Sequence, residues 1–192
     1  MAFKKNSWNI ILASKSPRRQ NLLKELGFDF EIKTKEVAEI YPPTLKREQV
    51  ALYLSELKAT AFVVELKAND LVITSDTIVC LGEYIIGKPI DRKDAIKMLQ
   101  LLSGNKHEVI TAVTLLSKEK RISFYEVTEV YFKTLSLVEI EYYVDNFKPY
   151  DKAGSYGIQE WIGYIGIQKI VGSYFNVMGL PVFRLYEELV KF

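Results

Sequence analysis

Apolar positions recur along this chain with two periods, and the switches between them mark its elements. Ile10, Ile11, Leu12 and Ala13 form a short apolar run that reads as a buried strand. It breaks into Ser14-Lys15-Ser16-Pro17, and residues 17–26 then read as a helix with Leu22, Leu23 and Leu26 on one face. Gly27 is placed to end it. Residues 28–33 read as a short strand, followed by a polar loop ending at Pro42-Pro43. Over residues 46–66, Val50, Leu54, Leu57, Ala61 and Val64 recur at helical spacing, which predicts one long helix. Residues 71–81 read as a strand region, with Gly82-Glu83 as a hairpin turn. Asp91 caps a helix through Leu102, which Ser103-Gly104 stops. Residues 106–117 and 121–134 alternate as two long strands. Ser136-Leu137-Val138-Glu139 is a capping box opening a helix to about Asn146. A glycine-rich segment follows, then a strand-like stretch over 161–171 and a final helix after Pro181. This order predicts an α/β fold: a mixed twisted sheet with flanking helices, in two lobes around a cleft.

Composition narrows the chemistry. At 192 residues, with no linker, repeat or low-complexity tract, residues 1–192 read as a single domain. The formal charge of +2 argues against a nucleic-acid-binding surface, so any anion site must be local. No apolar run reaches the ~18–20 residues that cross a bilayer. The segment Met1-Ala2-Phe3-Lys4-Lys5-Asn6 lacks a signal-peptide core, which gives a cytoplasmic reading with no membrane association. The one cysteine, Cys80, lies in an apolar run, which excludes an intrachain disulfide and a cysteine zinc cluster. The one histidine, His107, excludes a multi-histidine metal site and reads as structural. Catalysis must then rest on Asp, Glu, Lys and Arg, a combination suited to metal-assisted phosphate chemistry.

Three segments carry candidate chemistry. The first is Ser14-Lys15-Ser16-Pro17-Arg18-Arg19, where Ser16 is a natural N-cap and Pro17 fits the first helical position. Two arginines there oppose the helix dipole, so this start is either a solvated basic helix head or a phosphate cradle of hydroxyls, N–H groups and guanidiniums. The second is Thr74-Ser75-Asp76-Thr77 between apolar triplets. Asp76 is either a strand end turning into a loop or a buried acid paired with a cation or metal. Glu39, with Glu36 as its competitor, is a candidate second metal-directed carboxylate in the polar loop. Lys58, in the long helix, and Lys88, held extended by Pro89, are weak signals on their own. The third segment, Asp151 to Gln159, is either an interstrand turn or a ligand-contacting loop. The Gln159 amide suits the adjacent N–H and C=O of a uracil or thymine ring.

In this order, the segments resemble the Maf family of nucleoside triphosphate pyrophosphatases across nearly the whole chain. The motifs are Ser14 to Arg19, Glu39, Lys58, Ser75-Asp76-Thr77, Gly87-Lys88-Pro89, Leu102-Ser103-Gly104 with His107, and Lys152 to Gln159. The resemblance implies an inosine-triphosphatase-like fold and hydrolysis at the α–β phosphate bond of a nucleotide, with magnesium or manganese. Asp76-Thr77 and Tyr156-Gly157-Ile158-Gln159 favour the branch acting on dTTP and UTP. It further implies that Asp76 and Glu39 hold the metal, or orient and deprotonate the attacking water. Arg18, Arg19, Lys58 and Lys88 would clamp phosphate oxygens, with Ser14 and Ser16 completing the cradle. Arg18, Thr77 and Gln159 would set specificity. A homodimer is implied by the same analogy, and the alternative role is a non-catalytic nucleotide-binding regulator of septum formation. Glu160 departs from the pattern, since a glycine commonly follows the glutamine.

Overall fold

Helices and strands form largely where local signals place them. In a computed structural model the described residues are 8–192. The segment read for a signal core lies outside them. The strands are β1 (Asn9–Leu12), β2 (Glu31–Ile32), β3 (Asp70–Leu81), β4 (Tyr84–Ile86), β5 (Lys106–Leu116), β6 (Arg121–Phe132) and β7 (Ile167–Val171). The helices are α1 (Pro17–Glu25), α2 (Glu48–Thr60), α3 (Arg92–Leu102), α4 (Leu137–Phe147), α5 (Trp161–Gly166), α6 (Tyr174–Val177) and α7 (Val182–Lys191). Among the described residues, seven strands form one mixed sheet in the order β2-β1-β3-β5-β6-β7, with β4 paired to β3. β1 runs parallel to β2 and β3, whereas β3–β4 and β6–β7 are antiparallel. No helix among these residues is long and apolar enough to cross a membrane.

The chain divides into two compact units, and β3, β5 and β6 each supply residues to both. The first comprises residues up to Asp76, Thr111–Tyr125 and Gly179–Phe192. Ile11, Ala59, Phe62, Val72 and Leu116 pack together in it, so α2 covers one face of its strands. The second comprises Thr77–Ile110 and Glu126–Met178. Its core joins Val79 and Ile86 to α3 through Leu99 and Leu102, to α4 through Ile140 and Tyr143, and to Ile158 and Ile162.

The structure corrects several boundaries. The predicted helix over 46–66 stops at Thr60. The Lys35 ammonium donates to the Ala61 carbonyl at 2.8 Å, closing the helix end, and Phe62 turns into the core. Val64, whose spacing put it on the apolar face, is 96% exposed. The strand over 28–33 shrinks to Glu31–Ile32, with one further bond from Lys33 N–H to the Leu12 carbonyl. The first half of the strand-like stretch over 161–171 is the helix α5. A Cβ on Gly163 would lie 1.8 Å from the Ile158 carbonyl oxygen, so only glycine lets this helix sit against that backbone. The short helix α6, four residues long, carries no periodic signal in the sequence.

Candidate active site

The head of α1 is built by local hydrogen bonds. Beyond β1, Ala13 N–H still donates to the Ile73 carbonyl at 2.9 Å, and the chain then leaves the sheet. Ser14 Oγ accepts from Ser16 N–H at 3.2 Å, while Gln20 Nε2 donates to the Ser14 carbonyl at 3.0 Å. Ser16 caps the helix, its Oγ accepting from Arg19 N–H at 3.5 Å. The first turn holds no acid, so Arg18 and Arg19 stand where the helix dipole favours a negative charge.

Arg19 is committed to the backbone. Its Nε donates to the Gly179 carbonyl at 2.8 Å and its Nη1 to the Ser75 carbonyl at 2.9 Å. Ser75 Oγ donates to the same Gly179 carbonyl at 3.2 Å. The guanidinium thus takes over the edge of β3 just past the residues that β1 covers, Asp70 to Ile73. Burial lowers its pKa from the usual arginine value; Asp76 opposes that shift, Arg18 adds to it and Glu39 opposes it. These four side chains therefore share one electrostatic neighbourhood. Nothing in the sequence pointed to Gly179, which is 160 residues away.

Asp76 resolves the choice left open by the sequence. It sits within the continuous strand β3 and is 7% exposed, so it is a strand acid. Lys58, from the last turn of α2, donates to Asp76 Oδ1 and lies 2.9 Å from Glu39 Oε1. One ammonium thus offsets two carboxylates, which makes the buried acid tolerable. The pairing is fixed from one turn earlier. Thr74, two residues before Asp76 and so on the same side of the strand, donates its hydroxyl to the Ser55 carbonyl at 2.7 Å. Ser55 Oγ in turn lies 2.9 Å from Thr114 Oγ1. Glu36, the competitor of Glu39, faces Lys15 at 3.9 Å on the exposed surface. Ser14, Ser16, Arg18, Arg19, Glu39, Lys58 and Asp76 all belong to the first unit.

The other candidates lie in the second unit. Thr77 follows Asp76 in β3, and Lys88 is exposed beyond β4. The Gly87 carbonyl accepts from Gly154 N–H at 3.0 Å, tying the Gly87-Lys88-Pro89 turn to the glycine-rich segment. Gly154 has φ 70°, and a Cβ there would meet Val79 at 3.1 Å. Gln159 carries a buried Oε1 with no hydrogen-bond partner. His107 is 1% exposed, and its Nε2 lies 2.7 Å from the Tyr156 hydroxyl. Burial pushes its pKa down from 6.5 to about 4, consistent with a neutral core histidine.

Among the described residues, no group of three or more His, Cys, Asp or Glu side chains converges to cage a metal. Asp76 and Glu39 do converge, on one cation. Magnesium is held by one or two carboxylates, with water and substrate phosphate oxygens filling the other positions. The pair fits such an ion.

The chain is 54% identical over 185 residues to a protein of Phocaeicola vulgatus named dTTP/UTP pyrophosphatase, covering 96% of both chains. It is 50% identical over 186 residues to one of the same name from Flavobacterium johnsoniae, covering 97% of this chain and 96% of that one. Among solved structures, the Ham1 protein of Staphylococcus aureus superposes with a TM-score of 0.53 at 17% identity, covering 94% of this chain and 99% of that one. That likeness is one of fold. The model of the Maf-like protein family matches residues 9–192, and the chain belongs to this family.

Proposed function

We propose that this protein is a nucleoside triphosphate pyrophosphatase that hydrolyses the α–β phosphate bond of dTTP and UTP, and that residues 1–192 act as one catalytic domain. The observation that carries the reading is the convergence of Asp76 and Glu39 on Lys58, in the electrostatic neighbourhood of the arginine-headed helix α1. The names of the relatives supply the substrate class.

Attack of water at phosphorus needs a positioned nucleophile and donors for the charge on the leaving pyrophosphate. Asp76 orients the attacking water and accepts its proton. Lys58 holds that carboxylate in place and lends a donor to a phosphate oxygen. Arg18, Ser14, Ser16 and the N–H groups of α1 cradle the phosphate chain. Arg19 fixes the backbone of Ser75 next to Asp76. Lys88 contributes charge to the triphosphate, while Arg18, Thr77 and Gln159 select the base. A magnesium or manganese ion, held by Asp76 and Glu39, would offset charge on the phosphate oxygens. The same reading makes the protein a homodimeric cytoplasmic enzyme of nucleotide metabolism.

Replacing Asp76 with Asn keeps its shape and removes the proton acceptor. Asp76→Asn should cut kcat for dTTP by about 10²–10⁴-fold. Full activity in that variant would refute the assignment.

A further inference from the structure

A buried polar relay lies under the glycine-rich segment, and the reaction described above does not use it. Tyr143, on α4, is 0% exposed, and its hydroxyl accepts from Gly157 N–H at 2.9 Å. The same hydroxyl donates to Glu160 Oε2. Lys152 Nζ lies 3.1 Å from Glu160 Oε1 and donates to Asp151 Oδ1 at 2.7 Å, although Lys152 itself is 8% exposed. The carboxyl folds so tightly under the loop that a Cβ on Gly157 would lie 2.7 Å from Glu160 Cδ. A side chain at residue 157 would push the Glu160 carboxylate out of these bonds.

A buried ion pair adds little net stability relative to apolar packing, and its best-attested use is to fix one arrangement among several. The arrangement fixed here is that of residues 157–160. Gly157 and Glu160 anchor its two ends on one tyrosine, and Gly163 packs against the Ile158 carbonyl between them. Gln159 lies inside this clamp with its Oε1 buried and unpartnered, an amide held ready for a ligand donor. Burial also raises the Tyr143 pKa, with the Glu160 carboxylate adding to the shift, so the phenol stays a donor at working pH.

We infer that Tyr143, Glu160 and Lys152 form a brace that positions the Gln159 amide and thereby sets base preference, making them positioning residues for specificity. The inference rests on the proposed role of Gln159 in reading the base. Glu160 then replaces the freedom of a glycine with a carboxylate latch.

The test compares binding of α,β-methylene-UTP with α,β-methylene-ATP by calorimetry, so no turnover is required. Five variants are measured: Tyr143→Phe, Gln159→Ala, their double variant, Glu160→Gln and Glu160→Ala, each with a melting curve to confirm folding. The brace predicts that Tyr143→Phe lowers the UTP-over-ATP preference by about tenfold, the scale of one lost hydrogen bond to a charged group. It also predicts that the double variant loses no more than Gln159→Ala alone. Glu160→Gln, which keeps an acceptor for the tyrosine, should restore most of the preference that Glu160→Ala loses. If Gln159→Ala lowers the preference while Tyr143→Phe leaves it within twofold, the brace is wrong and base reading stands. Additive losses in the double variant would also overturn it. If Gln159→Ala leaves the preference unchanged, base reading fails and the brace falls with it, whatever the pyrophosphatase assay shows.

Discussion

Lys58 on α2 donates to Asp76 on β3, and this is where the first unit places a buried carboxylate beside its counter-charge. Removing the ammonium leaves Asp76 and Glu39 facing each other without it. Lys58→Met should lower stability by about 2–3 kcal/mol, below the range for fully buried pairs because Lys58 is partly exposed. Activity on dTTP should fall by about 10²-fold or more. The melting temperature of this variant should also rise with added magnesium by more than that of the unaltered protein. Denaturant and thermal melts with and without magnesium check the stability effects, and a dTTP turnover assay checks the activity.

Arg19 spends two donors on main-chain carbonyls of Ser75 and Gly179. A lysine keeps the charge but has no planar fork to span both. Arg19→Lys should therefore lower kcat by about tenfold while changing KM by less than about threefold, because the lost bonds align the strand beside Asp76. Arg18→Lys, at a residue assigned to the phosphate chain, should raise KM instead. Steady-state kinetics on dTTP separate the two patterns.

His107 makes stability depend on pH in a definite direction. Its pKa falls from 6.5 to about 4 in the folded chain, so between those values the unfolded chain binds the additional proton. Stability from this group is complete above pH 6.5 and is lost progressively as pH falls towards 4. The loss amounts to about 3 kcal/mol at 1.36 kcal/mol per unit. Glu139, held at about 2 by Lys133 and by the Ser136 cap, loses its own contribution as pH falls from 4.5 towards 2, mostly below that window. His107→Gln should flatten unfolding free energy between pH 6.5 and 4, as read from urea melts.

Gly154 combines a left-handed backbone with close packing on Val79. Gly154→Ala adds both strain and overlap, and should destabilise the protein by about 1–3 kcal/mol. Thermal melting of that variant measures it.

Local chemistry was legible in the sequence wherever partners lie within one turn. The Ser16 cap, the Asp91 cap and the box formed by Ser136 and Glu139 all formed as read. The Gly82-Glu83 hairpin also formed, because its register needs only adjacent residues. Periodicity failed where tertiary contacts override it. Lys35 on Ala61 ends α2 early, and the apolar run with Gly163 and Gly166 is equally consistent with a helix and a strand until its packing is known. The site was legible in its residue types but not in its wiring. Arg19 reaches Gly179 and Lys58 reaches Asp76 across separations that no local pattern encodes. Tyr143 gave no signal at all, since a buried tyrosine on an amphipathic helix looks like any other core aromatic.

Cleavage between the α and β phosphates of pyrimidine triphosphates shows directly in the products released. Purified protein should be incubated with dTTP, UTP, GTP and ATP, with and without magnesium, and the products separated by ion exchange. The expected products are dTMP from dTTP and UMP from UTP, each with one equivalent of pyrophosphate, only when magnesium is present, with far slower turnover of GTP and ATP. Orthophosphate with a nucleoside diphosphate, or no cleavage of any of the four, would contradict it.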